Sequence, residues 1–436
     1  MNFGVSPGGS LQGEITVPGD KSISHRSIML GALAEGVTEV GGFLDGLDCL
    51  ATRDAFRAMG VRIEGPDNGR IRIHGVGLHG LKAPSEPLDL GNSGTSMRLI
   101  AGILSAQAFD CTLIGDASLS RRPMRRVIEP LGRMGAKVEA TAQGTAPLHI
   151  HGGQRLRGIH YESPVASAQV KSVVLLAGMY AEGETRVIEP GSSRDHTERM
   201  LSAFRYPVQW QSNTASLRGG GRLIGKSLQV PADISSAAFF LVGASIAPGS
   251  DLLLRNVGIN PTRTGVIEIL RRMGASIEYV NQRQLGAEPV ADLRVRSRPL
   301  HGIHIPKQLV PLAIDEFPAL FIAAACAEGV TLLDGAEELR VKESDRIQVM
   351  ADGLQQLGIK AEPTADGIRI EGGELTGGTV DSQGDHRIAM SFAMAALQAS
   401  GEIQIRDCRN VGTSFPGFVG AAKQVGLTIE EKRELP

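Results

Sequence analysis

The stretch PGDKSISHRSIMLGALAEG, Pro18 to Gly36, decides the fold, because the chain writes its pattern six times. A Gly/Pro turn carrying polar residues runs straight into an apolar helix of small side chains. The pattern returns as LGNSGTSMRLIAGILSA from Leu90 and as SPVASAQVKSVVLLAGMYAEG from Ser163. It appears again as PADISSAAFFLVGASIAPG from Pro231, AIDEFPALFIAAACAEG from Ala313 and QGDHRIAMSFAMAALQASG from Gln383. Self-similarity of this kind marks a modular architecture. The helices are apolar almost all round, which predicts burial inside a domain.

A second, amphipathic helix follows each copy, then a Gly, then a strand. Examples are DAFRAMGVRIEG from Asp54, VIEPLGRMGAKVEA from Val127 and VIEILRRMGASIEY from Val266. MADGLQQLGIKAEP from Met350 and GFVGAAKQVGLTIEE from Gly417 complete the set. The Gly stops the helix in the left-handed conformation, and alternating apolar residues open the strand. The third copy, MLSAFRYPVQWQ from Met200, has Arg205-Tyr206-Pro207 instead of Gly, so Pro207 is expected to end that helix. Each module thus reads as a β-α-β-α-β-type unit of an α/β (α+β) chain. Three modules make roughly 220 residues, a domain-sized block. The expected division is 18–230 as one three-unit domain and 1–17 plus 231–436 as the second. A dinucleotide-binding fold is the competitor, through Gly75, Gly77 and Gly80. Pro84 and Pro87 then fall where its helix should start, so that match reads as a turn.

Composition narrows the function. The 436 residues are 42% hydrophobic and 21% charged, with a formal net charge of −2 and 4% aromatics. That excludes a general nucleic-acid binder. Cys49, Cys111, Cys326 and Cys408 form no C-x-x-C pair and show no zinc-ligand spacing. Cys111 and Cys326 read as buried core thiols, and a reducing cytosol suits them. No signal segment opens the chain, and no apolar run approaches the ~20 residues of a membrane span. The expectation is a cytoplasmic protein.

The opening turn resembles a phosphate loop and fails as one, since Asp20 stands where a P-loop places Gly. Lys21, Ser22, Ser24 and Arg26 still gather where a helix begins. Two readings stay open: an anion site at a helix N-terminus, or an N-cap by Asp20 or Ser22 beside solvated cations. The other turns add Asn92, Ser93, Thr95, Ser167, Gln169, Asp315, Glu316, Asp385, His386 and Arg387. The connections SLSRRPMRR (Ser118–Arg126), SSRDHTER (Ser192–Arg199) and LRVKESDR (Leu339–Arg346) add more cations. The helix dipole disfavours cations at helix starts, so an anionic partner is the simplest compensation. Internal ion pairs with Asp195, Glu198, Glu343 and Asp345 are the alternative. Asp315 and Glu343 are acid/base candidates, or structural partners of Lys342 and Arg346. His386 is a candidate acid, or only a helix N-terminal histidine. Ser167, Asp195 and His196 lack the nucleophile elbow of a hydrolytic triad. No cluster shows metal-ligand spacing.

In chain order, PGDKSISHR, LGNSGTSMRL, SRRPMRR, SAQVKS, SRDHTERM, DEFPAL, RVKESDRI and DHRIAMSFA resemble the EPSP synthase family over essentially the whole chain. This is the 3-phosphoshikimate 1-carboxyvinyltransferase family. The SAQ and SRDHTE forms are similar to its class II bacterial branch. The resemblance implies two similar domains of threefold pseudo-symmetry with buried helices, the enolpyruvyl transferase inside-out barrel, with the active site in the interdomain cleft. It implies transfer of the enolpyruvyl group of phosphoenolpyruvate to the 5-hydroxyl of shikimate 3-phosphate, with release of phosphate. No cofactor and no metal are implied. The partners are small anionic substrates, with no nucleic acid and no membrane, and the chain acts as a monomer.

Carried over by motif, the shikimate 3-phosphate site comprises Lys21, Ser22, Arg26, Ser167, Ala168, Gln169, Arg194, Asp315 and Lys342. The phosphoenolpyruvate site comprises Lys21, Asn92, Gly94, Arg122, Gln169, Arg346 and Arg387. Lys21, Asp315 and Glu343 are the implied proton carriers. Many members place a Lys just before [ST]-F-P near the C-terminus; here Val411-Gly412-Thr413-Ser414-Phe415-Pro416 has none. Gly94 stands where glyphosate-insensitive class II members carry Ala, which implies sensitivity. The rivals are the UDP-N-acetylglucosamine enolpyruvyl transferase, whose loop cysteine SLSRRPMRR lacks, and a non-catalytic repeat scaffold binding anionic partners.

Overall fold

Each of the six small-residue stretches forms a helix in the computed structural model, which describes residues 1–432. The helices are Lys21–Leu33, Gly94–Leu104, Ala168–Gly178, Ile234–Ile246, Phe317–Ala325 and His386–Ala395. Every residue of Ile234–Ile246 and of Phe317–Ala325 is buried, as their lack of a polar face requires. Side-chain caps start most of them. Asp20 accepts from the Ile23 N–H, Ser93 from Ser96, Asp233 from Ser235 and Asp385 from Arg387. Of the two N-cap candidates in the opening turn, Asp20 is the one used.

The amphipathic helices end as the sequence predicts in five modules. Gly60, Gly135, Gly274, Gly358 and Gly426 all have positive φ, between 87° and 115°. The third module corrects the expectation about Pro207. Its helix, His196–Ala203, ends well before the proline, and Arg205 itself takes the left-handed conformation at φ 64°. The Tyr206 N–H donates to the Leu201 carbonyl at 2.9 Å, closing the turn. Tyr206 is buried, and its hydroxyl donates to the Arg218 carbonyl at 2.8 Å. That anchorage offsets the ~1–2 kcal/mol that a left-handed residue with a Cβ costs.

The modules carry one more strand than expected. In the second, strands run in the order Leu88–Asp89, Cys111–Ile114, Leu148–His151, Lys137–Glu139. The first pair is parallel and spans the buried helix; the others are antiparallel. The unit is therefore β-α-β-α-β-β. Borrowed strands complete other modules. Leu223–Ile224 and Ser227–Gln229 add in parallel to Ala34–Gly41 of the first. Gln12–Ile15 adds to Asp251–Gly258 of the fourth, and Asn2–Val5 sits between Ile403–Arg406 and Ile429–Lys432 of the sixth.

Two compact units result. One holds Gly19–Val230 with Leu285–Ala287; the other holds Met1–Pro18, Pro231–Gln284 and the chain from Glu288 onward. Each has its own apolar core. Ile28, Leu99 and Val173 lie in one; Phe240, Phe321 and Phe392 lie in the other. Each core is centred on its three small-residue helices. Among the described residues, no helix is long and apolar enough to cross a membrane.

Candidate functional site

In the unit 19–230, the first turns of the three buried helices are stitched together by polar side chains. Arg26 donates from Nε to Thr197 Oγ1 at 2.7 Å and from Nη2 to Ser172 Oγ at 2.8 Å. Its Nη1 donates to the Ser22 carbonyl at 2.9 Å. Lys21 Nζ lies 2.5 Å from Asp48 Oδ2. His25, behind them, is buried with Nδ1 2.8 Å from Thr52 Oγ1. Burial, then the Lys21 and Arg26 charges, hold its pKa well below the usual histidine value.

The second and third helices meet around Gln169. Its Oε1 accepts from Arg98 Nη1 at 2.7 Å and its Nε2 donates to Thr95 Oγ1 at 3.0 Å. These bonds fix which way the amide points. Arg122 Nη2 donates to Asn92 Oδ1 at 2.7 Å, and Asn92 Nδ2 to Asp116 Oδ2 at 2.7 Å. Gly94 lies between two guanidiniums. A Cβ there would stand 3.0 Å from Nη1 of Arg122 and 3.0 Å from Nη1 of Arg98. Glycine keeps that approach open, beside N–H groups at a helix start.

A buried ion cluster braces the third helix. Lys171 Nζ lies 3.1 Å from Glu189 Oε2 and 2.9 Å from Glu198 Oε1, all three side chains no more than 4% exposed. Burial opposes the ammonium, but Glu198 and Glu189 outweigh it and hold Lys171 protonated. Glu189 in turn accepts from the Ser167 N–H and the Ser193 hydroxyl, both at 2.8 Å. Lys171 and Glu189 thereby fix the Ser167–Ala168 turn and the loop that carries Arg194. Asp195 pairs with Arg199 at 2.9 Å, and His196 Nε2 lies 4.0 Å from Asp20. Both therefore have partners other than Ser167.

The other unit has its own polar cluster, centred on Arg346, which is fully buried. Nε donates to Asp385 Oδ2 at 2.8 Å, Nη2 to Glu343 Oε2 at 2.6 Å and Nη1 to Asp315 Oδ1 at 3.4 Å. Burial opposes its charge, yet Asp385, Glu343 and Asp315 together raise its pKa further above the usual arginine value. Lys342 Nζ lies 3.6 Å from Asp315 Oδ1, and Arg387 Nη1 donates to the Asp315 carbonyl at 3.1 Å. Arg263, also buried, donates to Asp233 Oδ1 at 3.1 Å and Ser235 Oγ at 2.7 Å, while Ser235 donates to Glu316. The starts of the three buried helices are joined here too.

The sequence-predicted residues thus divide between the units. Lys21, Ser22, Arg26, Asn92, Gly94, Arg122, Ser167, Ala168, Gln169 and Arg194 lie in one. Asp315, Lys342, Glu343, Arg346 and Arg387 lie in the other. The supporting residues Asp48, Arg98, Lys171 and Glu189 were not singled out as site residues by the sequence. A charged residue inside a small-residue helix, as Arg98 and Lys171 are, was the available signal.

Comparison with known proteins gives the family. The family model for EPSP synthase (3-phosphoshikimate 1-carboxyvinyltransferase) matches residues 5–421. The chain belongs to the EPSP synthase family. A 3-phosphoshikimate 1-carboxyvinyltransferase of Methylococcus capsulatus is 69% identical over 428 residues, 98% of each chain. One from Legionella pneumophila is 61% identical over 431 residues, 99% of each. The solved EPSP synthase of Acinetobacter baumannii has 61% identity and a TM-score of 0.88, covering 99% of this chain and all of that one. A Streptomyces tendae enolpyruvyl transferase shares the fold at 16% identity, with a TM-score of 0.78 over 99% of this chain and 98% of that one.

The stretch before Ser414-Phe415-Pro416, where the resemblance implies a lysine, is a short turn, Arg409–Thr413. Thr413 is buried and its hydroxyl donates to the Asn410 carbonyl at 2.6 Å. Asn410 Nδ2 donates to the Gly384 carbonyl at 2.8 Å, pinning the turn that leads into Asp385 and Arg387.

Proposed function

We infer that this chain, as an enolpyruvyl transferase (EC 2.5.1.19) of the shikimate pathway, uses the two polar clusters together on its two anionic substrates. The reaction joins the 5-hydroxyl oxygen of shikimate 3-phosphate to C2 of phosphoenolpyruvate, whose methylene gains a proton. The tetrahedral intermediate then loses a proton from that methyl group together with phosphate, giving 5-enolpyruvylshikimate 3-phosphate. One observation carries the residue assignment. Cations that the helix dipole disfavours are held at helix starts by carboxylates, as Lys21 is by Asp48 and Arg346 by Asp315, Glu343 and Asp385. Multiply charged anions exploit such forks and helix ends.

Ser22, Arg26, Ser167, Ala168, Gln169, Arg194, Asp315 and Lys342 bind the shikimate side, with Lys21 shared. Asn92, Gly94, Arg122, Arg346, Arg387, Lys21 and Gln169 bind phosphoenolpyruvate. Lys21, Asp315 and Glu343 move the protons, and Lys21 with the arginines stabilises the intermediate. The active site draws on residues of both units. The protein works in the cytoplasm as a monomer, without nucleic acid or membrane, and glyphosate competes at the phosphoenolpyruvate side. A non-catalytic scaffold gives no reason for Asp315 and Glu343 to sit among the cations, and the loop Ser118–Arg126 lacks the cysteine of the sister transferase.

Phosphate release with both substrates tests the activity, and silence with shikimate 3-phosphate refutes it. Lys21→Met is expected to lower kcat at least a hundredfold. Retained turnover in that variant removes Lys21 from the mechanism.

A further inference from the structure

The solvent face of one sheet carries a group of side chains that enolpyruvyl transfer does not use. His149 and His151 lie in the strand Leu148–His151, two residues apart and so on one face. The neighbouring strand, Cys111–Ile114, runs antiparallel with Thr112 opposite His149 and Cys111 opposite Ile150. That register brings Asp110 alongside His151. One donor atom from each of Asp110, His149 and His151 lies within 4.8 Å of the other two. The sequence reading expected no metal cluster; Asp110 is distant in the chain from the H-x-H pair, and only the strand register joins them.

We propose that Asp110, His149 and His151 form a binding site for one divalent transition-metal ion of the zinc class. One polar atom of each residue has a partner, which leaves the other for the ion. His151 Nε2 lies 2.8 Å from Glu139 Oε1. A carboxylate only accepts, so Nε2 carries the proton and Nδ1 presents the lone pair. His149 Nδ1 lies 2.9 Å from Thr112 Oγ1, which leaves Nε2 as its ligand atom. Asp110 Oδ1 accepts from the Gly152 N–H at 2.9 Å, which leaves Oδ2. A carboxylate behind a ligating imidazole is the usual outer support of a metal-binding histidine. The imidazole rings sit edge to face, with centroids 4.6 Å apart.

Cross-strand pairs alone do not explain the arrangement. His74–Glu64, His160–Glu184 and His304–Asp334 are such pairs on other sheets. Among the described residues, Asp110, His149 and His151 are the only group of three with metal-ligand proximity. Lys137 is opposite His151 in register, but its ammonium lies 4.0 Å from Glu139. Zinc–nitrogen bonds of about 2.0–2.1 Å need the donor atoms to draw in by about 1.5 Å, within reach of side-chain rotation at a half-exposed site. Two imidazoles and one carboxylate leave the other positions to water. The bound ion ties the start of one strand to the end of its neighbour. Asp110, His149 and His151 belong to neither polar cluster, so the ion acts on stability and not on turnover.

The test is titration of the metal-free full chain with Zn2+, by calorimetry and by competition with a chromophoric chelator. The expected result is one ion per chain with a micromolar or tighter Kd, and a thermal midpoint that rises with Zn2+. His149→Ala/His151→Ala should weaken binding at least a hundredfold, abolish the thermal shift and leave turnover unchanged. Glu139→Gln, which keeps all three ligands, should weaken binding about tenfold or more, and it serves if the double variant does not fold. Absence of binding at 100 times a micromolar concentration overturns the proposal. So does binding that neither the histidine variant nor Glu139→Gln alters.

Discussion

Replacing Lys171 by methionine is expected to destabilise the unit 19–230 by about 3–5 kcal/mol at pH 8. Methionine fills a similar volume and removes only the charge. What remains is a pair of carboxylates, Glu189 and Glu198, whose side chains are 1% and 2% exposed and which have lost their shared cation. Against a total stability of about 5–15 kcal/mol, that loss is large. The reporter is built in. Trp210, the one tryptophan of the chain, lies in this unit, in the strand Val208–Gln211 beside the Asn213 turn that bonds Glu189. Urea unfolding followed by its fluorescence reads the unit directly.

The deficit should depend on pH. Burial already pushes the Glu198 carboxyl above its usual value, and removing Lys171 pushes it further. A carboxyl with a raised folded-state pKa favours the fold at low pH and loses that contribution as pH rises through it. The deficit is therefore smaller at pH 5.5 than at pH 8. Lys171→Met/Glu198→Gln should recover part of the loss, because one uncompensated charge is gone. Glu189 also braces the Ser167 N–H, so KM for shikimate 3-phosphate should rise more than kcat falls. A loss below about 1 kcal/mol, equal at both pH values, would refute the reasoning.

Gly94→Ala places a methyl 3.0 Å from the Arg122 and Arg98 guanidiniums. Displacing one charge-assisted hydrogen bond costs about 1.5–3 kcal/mol, so KM for phosphoenolpyruvate should rise roughly ten- to a hundredfold, with weaker glyphosate inhibition. Wild type inhibited only at millimolar glyphosate contradicts the assignment of Gly94. His25 stays neutral when folded, so its stabilisation is complete above the unfolded value of 6.5 and is lost as pH falls below it. His25→Asn should flatten the fall in unfolding free energy, read from urea titrations between pH 7 and pH 5.5, by up to about 1.4 kcal/mol per pH unit; an unchanged slope counts against a buried neutral imidazole.

The sequence alone determined the modules, because burial of a helix on all sides and the left-handed stop after an amphipathic helix are local demands. A run such as AAFFLVGASIA can satisfy neither a surface nor a loop, and Gly60, Gly135 and Gly274 answer a backbone need that few residues meet. Some motif residues follow a local pattern too: Lys21 and Arg346 open helices capped by Asp20 and Asp345. Tertiary structure decided what lies between modules. Borrowed strands such as Asn2–Val5 and Gln12–Ile15 complete sheets hundreds of residues away, and their register has no local signal. Arg205 replaces a glycine because Tyr206 finds a buried seat, and the helix has stopped at Ala203, ahead of Pro207. The partners of Lys171, Arg98 and Arg346 come from other segments, as do Asp110 and the H-x-H pair. Charge placement could be read along the chain; charge compensation is a property of three dimensions, because the field that decides it falls off with distance in space.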